Sequence, residues 1–96
     1  MIARVVRFSG TSHGAEEHQR RAYEELLPVL EGLDGFRGLI LLGDPDSAVT
    51  LAVTLWTDER AAHESARVGS LLRHETTREG EWVASVEELQ VMLFEI

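Results

Sequence analysis

A tryptophan closing an alternating stretch, with small hydroxyl residues on its own side, is the feature of this sequence best suited to chemistry on a small molecule. From Ala48 to Trp56 the positions Thr50, Ala52, Thr54 and Trp56 share one parity, and Val49, Leu51, Val53 and Leu55 share the other. An extended chain therefore lays an amphipathic ring, two hydroxyls and a small gap side by side on one face. Such a face can wall a substrate-binding pocket, with Trp56 stacking under a flat aromatic ligand and Thr54 and Thr50 offering hydroxyls beside Ala52. The alternative is that Trp56 only fills core beneath a helix. His74 titrates near neutrality and can take a phenolic proton or bind haem iron, although its neighbours Arg73 and Glu75 also suit a solvated histidine. Arg4 and Arg7 differ in parity, so one at most can face a pocket and hold an enolate or carboxylate there. Arg7 joins His74 as a candidate catalytic group, the alternative being pairing with an acid. Tyr23 faces inward on helical spacing and can donate to a ligand carbonyl, or sit in the core with its hydroxyl satisfied.

The other histidines carry less. His13 and His18 stand in polar surroundings, and His63, one turn before Arg67, suits a surface or a pocket rim. No two histidines have the one-turn spacing with an intervening Glu that a metalloprotease helix needs, and Asp44 and Asp46 read as turn formers, so no bound metal is expected. Trp82 reads as a dimer-edge or loop-packing residue.

What the chain lacks excludes whole classes. With no cysteine there is no disulfide, iron–sulfur site, thiolate zinc site or thiol nucleophile. All nine basic residues are Arg, which removes Schiff-base chemistry and the lysine of a P-loop. A formal charge of -8 argues against nucleic acid, which needs a basic face. No apolar run approaches the length of a membrane span and no signal peptide is read, so a cytoplasmic location is expected.

These residues need elements to hold them. Ile2 to Phe8 reads as a strand, and a polar turn from Ser9 to Gly14 follows. A helix is predicted from about Ala15 to Gly32, with Tyr23, Leu26, Leu27, Leu30 and Leu33 as its apolar stripe and a kink or new turn at Pro28. Phe36 to Leu42 and Ala48 to Trp56 read as strands joined by a turn at Gly43 to Ser47. Thr57 or Asp58 can cap a second helix running to about His74. The last strand is predicted from about Ser85 to Ile96. The order is βαββαβ in one domain, 1–96: an α+β, ferredoxin-like antiparallel sheet with both helices on one face.

That arrangement leaves one sheet face without a helix, where water-facing residues should stand. Strands two to four are instead apolar on both faces. The simplest cover is a second copy, giving a homodimer whose sheets meet face to face with the helices outside. A domain of 96 residues buries a modest share of its surface, so association also helps stability.

The segments Leu27-Pro28, Gly35-Phe36-Arg37-Gly38 leading into Leu39 to Leu42, Thr54-Leu55-Trp56 with Thr57-Asp58-Glu59, and the closing Val91 to Glu95 run in order along nearly the whole chain. In these the sequence resembles the dimeric α+β barrel superfamily, and within it the antibiotic-biosynthesis-monooxygenase-like domains. The resemblance implies a dimeric barrel and a cofactor-independent monooxygenase acting on a small aromatic or polyketide-like phenol or anthrone. In the anthrone-oxidising branch an Asn stands four residues before the strand-three Trp. Trp56 matches that Trp, while the Asn position is Ala52. In the haem-degrading branch the pattern is a first-strand Asn, a second-helix Trp and a His near that helix's end. His74 matches the last, whereas the others fall near Arg7 and Ser65. The competing expectation is a non-catalytic barrel that binds a hydrophobic small molecule or serves as a dimeric assembly module.

Overall fold

Strand alternation and one well-made helix cap explain most of the architecture. The computed structural model describes residues 1–10, 19–44, 46, 48–76 and 82–96, and their side chains except those of 68–76 and 82. The strands are β1 (Ile2–Ser9), β2 (Phe36–Asp44), β3 (Val49–Trp56) and β4 (Trp82–Gln90). A π-helical turn (Ala22–Leu26) leads into α1 (Leu27–Glu31), and α2 (Glu59–Thr76) connects β3 to β4. The sheet order is β2-β3-β1-β4, with every neighbouring pair antiparallel. This is the α+β, ferredoxin-like arrangement expected from the sequence.

Register decides which side chains meet. Ile2, Arg4 and Val6 of β1 stand across from Trp56, Thr54 and Ala52 of β3 and from Gln90, Glu88 and Val86 of β4. This face lies under the helices, where Ile2, Leu30, Trp56, Ala61 and Ala62 form a buried cluster that Leu26, Leu33, Phe36 and Leu39 join at its edge. The opposite face carries Val5, Leu51, Val53, Ile40, Leu42 and Leu89. Ile40, Leu42 and Leu89 are 40%, 49% and 54% exposed. An apolar sheet face of this kind asks for a cover.

Two junctions fix the helices on the sheet. Asp58 caps α2, its carboxylate accepting the Ala61 N–H at 2.8 Å while its carbonyl accepts that of Ala62. Gly35, at φ +80°, lets the loop before β2 pass against this helix start, and Thr57 N–H donates to its carbonyl at 2.8 Å. At the hairpin, Asp46 N–H donates to the Asp44 carboxylate, the turn-forming role read from the sequence.

The first helix departs from its predicted phase. Pro28 has no N–H to give and its ring crowds the carbonyl one turn earlier. The chain answers by widening: Leu27 N–H donates to Ala22 across five residues, and Pro28 stands in the first turn of the next helical segment. Counting at 3.6 residues per turn therefore fails upstream of Leu27. The inward placement of Tyr23 is corrected: it is 71% exposed, while Ala22 is half-buried. The segments predicted for 11–18 lie outside the described residues.

The last strand also differs from its expected span. It begins at Trp82 and ends at Gln90, because its partner β1 ends there: Gln90 faces Ile2, and Val91 N–H donates to Met1 at 2.9 Å. Residues 91–96 continue past the sheet with Met92 and Leu93 more than four-fifths exposed.

Candidate functional site

Trp56 is the end of β3 and the centre of the helix-side core. It is fully buried, its indole N–H donates to Thr54 Oγ1 at 2.9 Å, and Phe36 meets it edge to face at 5.5 Å and 67°. The Arg4 guanidinium lies 5.5 Å from its ring centre. Both the ring and its donor are thus engaged within the protomer. Thr50 and Ala52, 3% and 8% exposed, continue the same floor along β3 across from Phe8 and Val6. The structure brings Trp56, Thr54, Ala52 and Thr50 together as one row, as their parity required.

Arg4 is the arginine of β1 that faces inward. Its side chain is 4% exposed, and Nε and Nη2 donate to the same oxygen of Glu88, at 3.1 and 3.0 Å. Nη2 also donates to the carbonyl of Ala62, which accepts the Ser65 hydroxyl at 2.7 Å as well. One side chain so ties β1 to β4, to α2 and to the Trp56 ring. The acid-pairing alternative weighed for the two arginines describes Arg4.

Arg7, the candidate catalytic arginine, lies on the other face from Trp56, across from Leu51 and Ser85. There it lines a recess of about 310 Å³ with Leu42, Gly43, Asp44, Val49 and Leu51. His74 is within α2, and its side chain lies outside those described; His13 and His18 also lie outside. Among the described residues no cluster of His, Asp and Glu could hold a metal ion, and no helix is long and apolar enough to cross a membrane.

A cleft of about 500 Å³ opens on the helix side between the first turns of α2 and the β1–β4 pair, lined by Ile2, Glu59, Arg60, His63, Glu88 and Gln90. His63 thus takes the pocket-rim position its spacing allowed. Glu88 and Glu59 are lining residues that sequence patterning missed. Glu88 could have been found only by knowing that β4 pairs with β1 in the register that sets it opposite Arg4. Arg60 points a hydrogen bond to Glu64 at 3.0 Å, and that bond and charge raise its pKa above the ordinary value.

No protein-family model and no curated protein matches the chain. Solved structures do match its fold. The heme-degrader MhuD from Mycobacterium tuberculosis, solved with two hemes in its active site, superposes with a TM-score of 0.73 at 21% identity, over 99% of each chain. An MhuD mutant holding two manganese protoporphyrin IX per active site gives 0.73 at 20% identity, over 99% of this chain and 98% of that one. SnoaB, a cofactor-independent oxygenase from Streptomyces nogalater, gives 0.70 at 21% identity over 97% of this chain and 94% of its own. What the chain shares with these structures is the α+β, ferredoxin-like fold.

Proposed function

We propose that this chain is an oxygenase-type barrel that takes a small aromatic phenol or anthrone between its sheet and helices, and that it acts in the cytoplasm as a homodimer, with no metal or other cofactor. The observation that carries the reading is the full-length likeness in fold to a heme-degrader and to a cofactor-independent oxygenase. Support from the chain itself is the small-residue floor of Thr50 and Ala52 on the helix side.

The chemistry asks little of the protein. Once a phenol or anthrone loses a proton, its electron-rich carbon can be oxidised by oxygen. In an anthrone the ring methylene, and in a phenol the ring C–H para to the hydroxyl, becomes a carbonyl; of the O2 consumed, one oxygen atom stays in the product and the other leaves as water. A dry site that favours the deprotonated substrate is the protein's contribution. The Arg4 guanidinium is paired with Glu88 and brings no net charge to the helix-side interior, and His74 remains the proposed proton acceptor. Trp56 holds this interior in place through its contacts to Phe36 and Arg4, so its part in substrate binding is through the floor it anchors.

The second reading, a barrel that binds a hydrophobic molecule without turning it over, is favoured by Ala52. That position offers a methyl group where the resembling oxidases place an amide, and the one indole donor nearby is spent on Thr54. Oxygen consumption separates the two, measured on adding an anthrone or a naphthalene hydroquinone to metal-free protein. The informative control is Ala52→Leu, which fills the floor, because Trp56→Ala would remove a core ring at a cost of about 3–5 kcal/mol. Uptake above the uncatalysed rate that falls about tenfold in a folded Ala52→Leu variant is the expected result. No uptake, together with a ligand-induced rise in melting temperature, would establish the binding module instead.

A further inference from the structure

The helix-free face of the sheet is apolar apart from a few charges, and two of these stand in its field without partners. Arg7 faces Ser85, and Glu87 faces Val5, so the two are diagonal neighbours on that face. Both are exposed, and neither side chain makes an ion pair or hydrogen bond among the described residues. Elsewhere Arg4, Arg20, Arg21 and Arg60 pair with Glu88, Glu24, Glu25 and Glu64, while Arg37 and Arg67 have no acid partner among the described residues and lie away from this apolar field. Asp44, the acid at the hairpin end of this face, has its carboxylate engaged by the Asp46 N–H.

We propose that Arg7 and Glu87 are an interface pair: in the homodimer, Arg7 of each copy meets Glu87 of the partner subunit across the two packed sheets. The inference rests on the homodimer reading above and deepens it. A two-fold interface sets a patch against itself, so a neighbouring acid and base become complementary to their own copies, and the contact forms twice. Charge complementarity singles out this occupant. A bilayer would have to desolvate both charges, whereas a second copy neutralises each with the other. Each copy also carries a formal charge of -8, so association is opposed overall and an apolar face alone would leave the register of the sheets open. Opposite charges placed off-centre on that face reward one register and penalise the others. Arg7 is thereby reassigned from chemistry to assembly.

The test uses charge reversal with sedimentation equilibrium over a range of concentrations. Arg7→Glu makes the pair all-acidic and Glu87→Arg makes it all-basic. Each alone is expected to weaken self-association at least about tenfold, and the double reversal Arg7→Glu with Glu87→Arg to restore it. The two single variants mixed together should form a heterodimer that neither matches alone. The neutral variants Arg7→Gln and Glu87→Gln should weaken association in the same direction by less, and circular dichroism checks that every protomer is folded. A wild-type chain that stays monomeric into the tens of micromolar would overturn the homodimer reading itself. A wild-type dimer indifferent to single reversal, or a double reversal without rescue, would overturn the Arg7–Glu87 pairing and leave the dimer standing.

Discussion

Removing Glu88 should harm the fold more than removing the arginine it serves. The asymmetry follows from exposure: the Arg4 side chain is 4% exposed and that of Glu88 43%. In Glu88→Ala the guanidinium stays buried with only the Ala62 carbonyl and the Trp56 ring to answer its charge. Breaking a fully buried pair from one side costs about 3–5 kcal/mol, and water reaching the vacated side should reduce this to about 2. For a domain of this size that is a fall of roughly 10 °C in Tm. In Arg4→Met the stranded group is Glu88, which can turn to water, and the Ala62 carbonyl keeps the Ser65 hydroxyl. An apolar side chain of similar length then fills the site, for a net loss below about 1 kcal/mol. The double variant should be no worse than Arg4→Met alone. Urea unfolding at pH 7 and one fixed protein concentration measures all three, the concentration held because association feeds into apparent stability. Equal losses for Glu88→Ala and Arg4→Met would refute the argument from buried charge.

Two further outcomes concern the junction where the helices meet the sheet. Gly35→Ala should lose about 3 kcal/mol in the same unfolding assay, from a side chain at φ +80° whose Cβ collides with Ala61 Cβ and lies 2.7 Å from Thr57 Oγ1. Asp58→Ala should lose about 1 kcal/mol with the α2 cap, and Asp58→Ser should recover most of it.

Strand alternation was legible wherever one chain segment carried its own evidence. The parity of Thr50, Ala52, Thr54 and Trp56 placed all four on one shared face, and the opposite parities of Arg4 and Arg7 placed one arginine on each face. Which arginine went inward depended on which face the helices chose, and that lies in the assembled sheet. The end of β4 was illegible for a similar reason: apolar alternation runs on to Phe94, but the neighbouring strand stops at Ile2. Tyr23 was misplaced by a local rule applied through a proline, whose signal for a disturbance was read correctly while its form, a widened turn, was not. The Arg4–Glu88 pair spans 84 positions in sequence, and nothing short of the sheet register joins its ends.

The widened turn at Ala22–Leu26 also works as an angular offset between two stretches of one helix. One extra residue held within a turn rotates everything upstream by about 100° relative to an unbroken α-helix. Deleting a single residue there would close the turn into an ordinary α-helical one, with Leu27 N–H donating to Ala22 across four residues and Ala22 keeping its inward place. The wide turn thus absorbs one residue, and the side chains upstream keep the face they would have in a chain one residue shorter. A lineage could therefore gain or lose one residue here with the lining of the space over the sheet, every strand and every core contact of α2 left where it was.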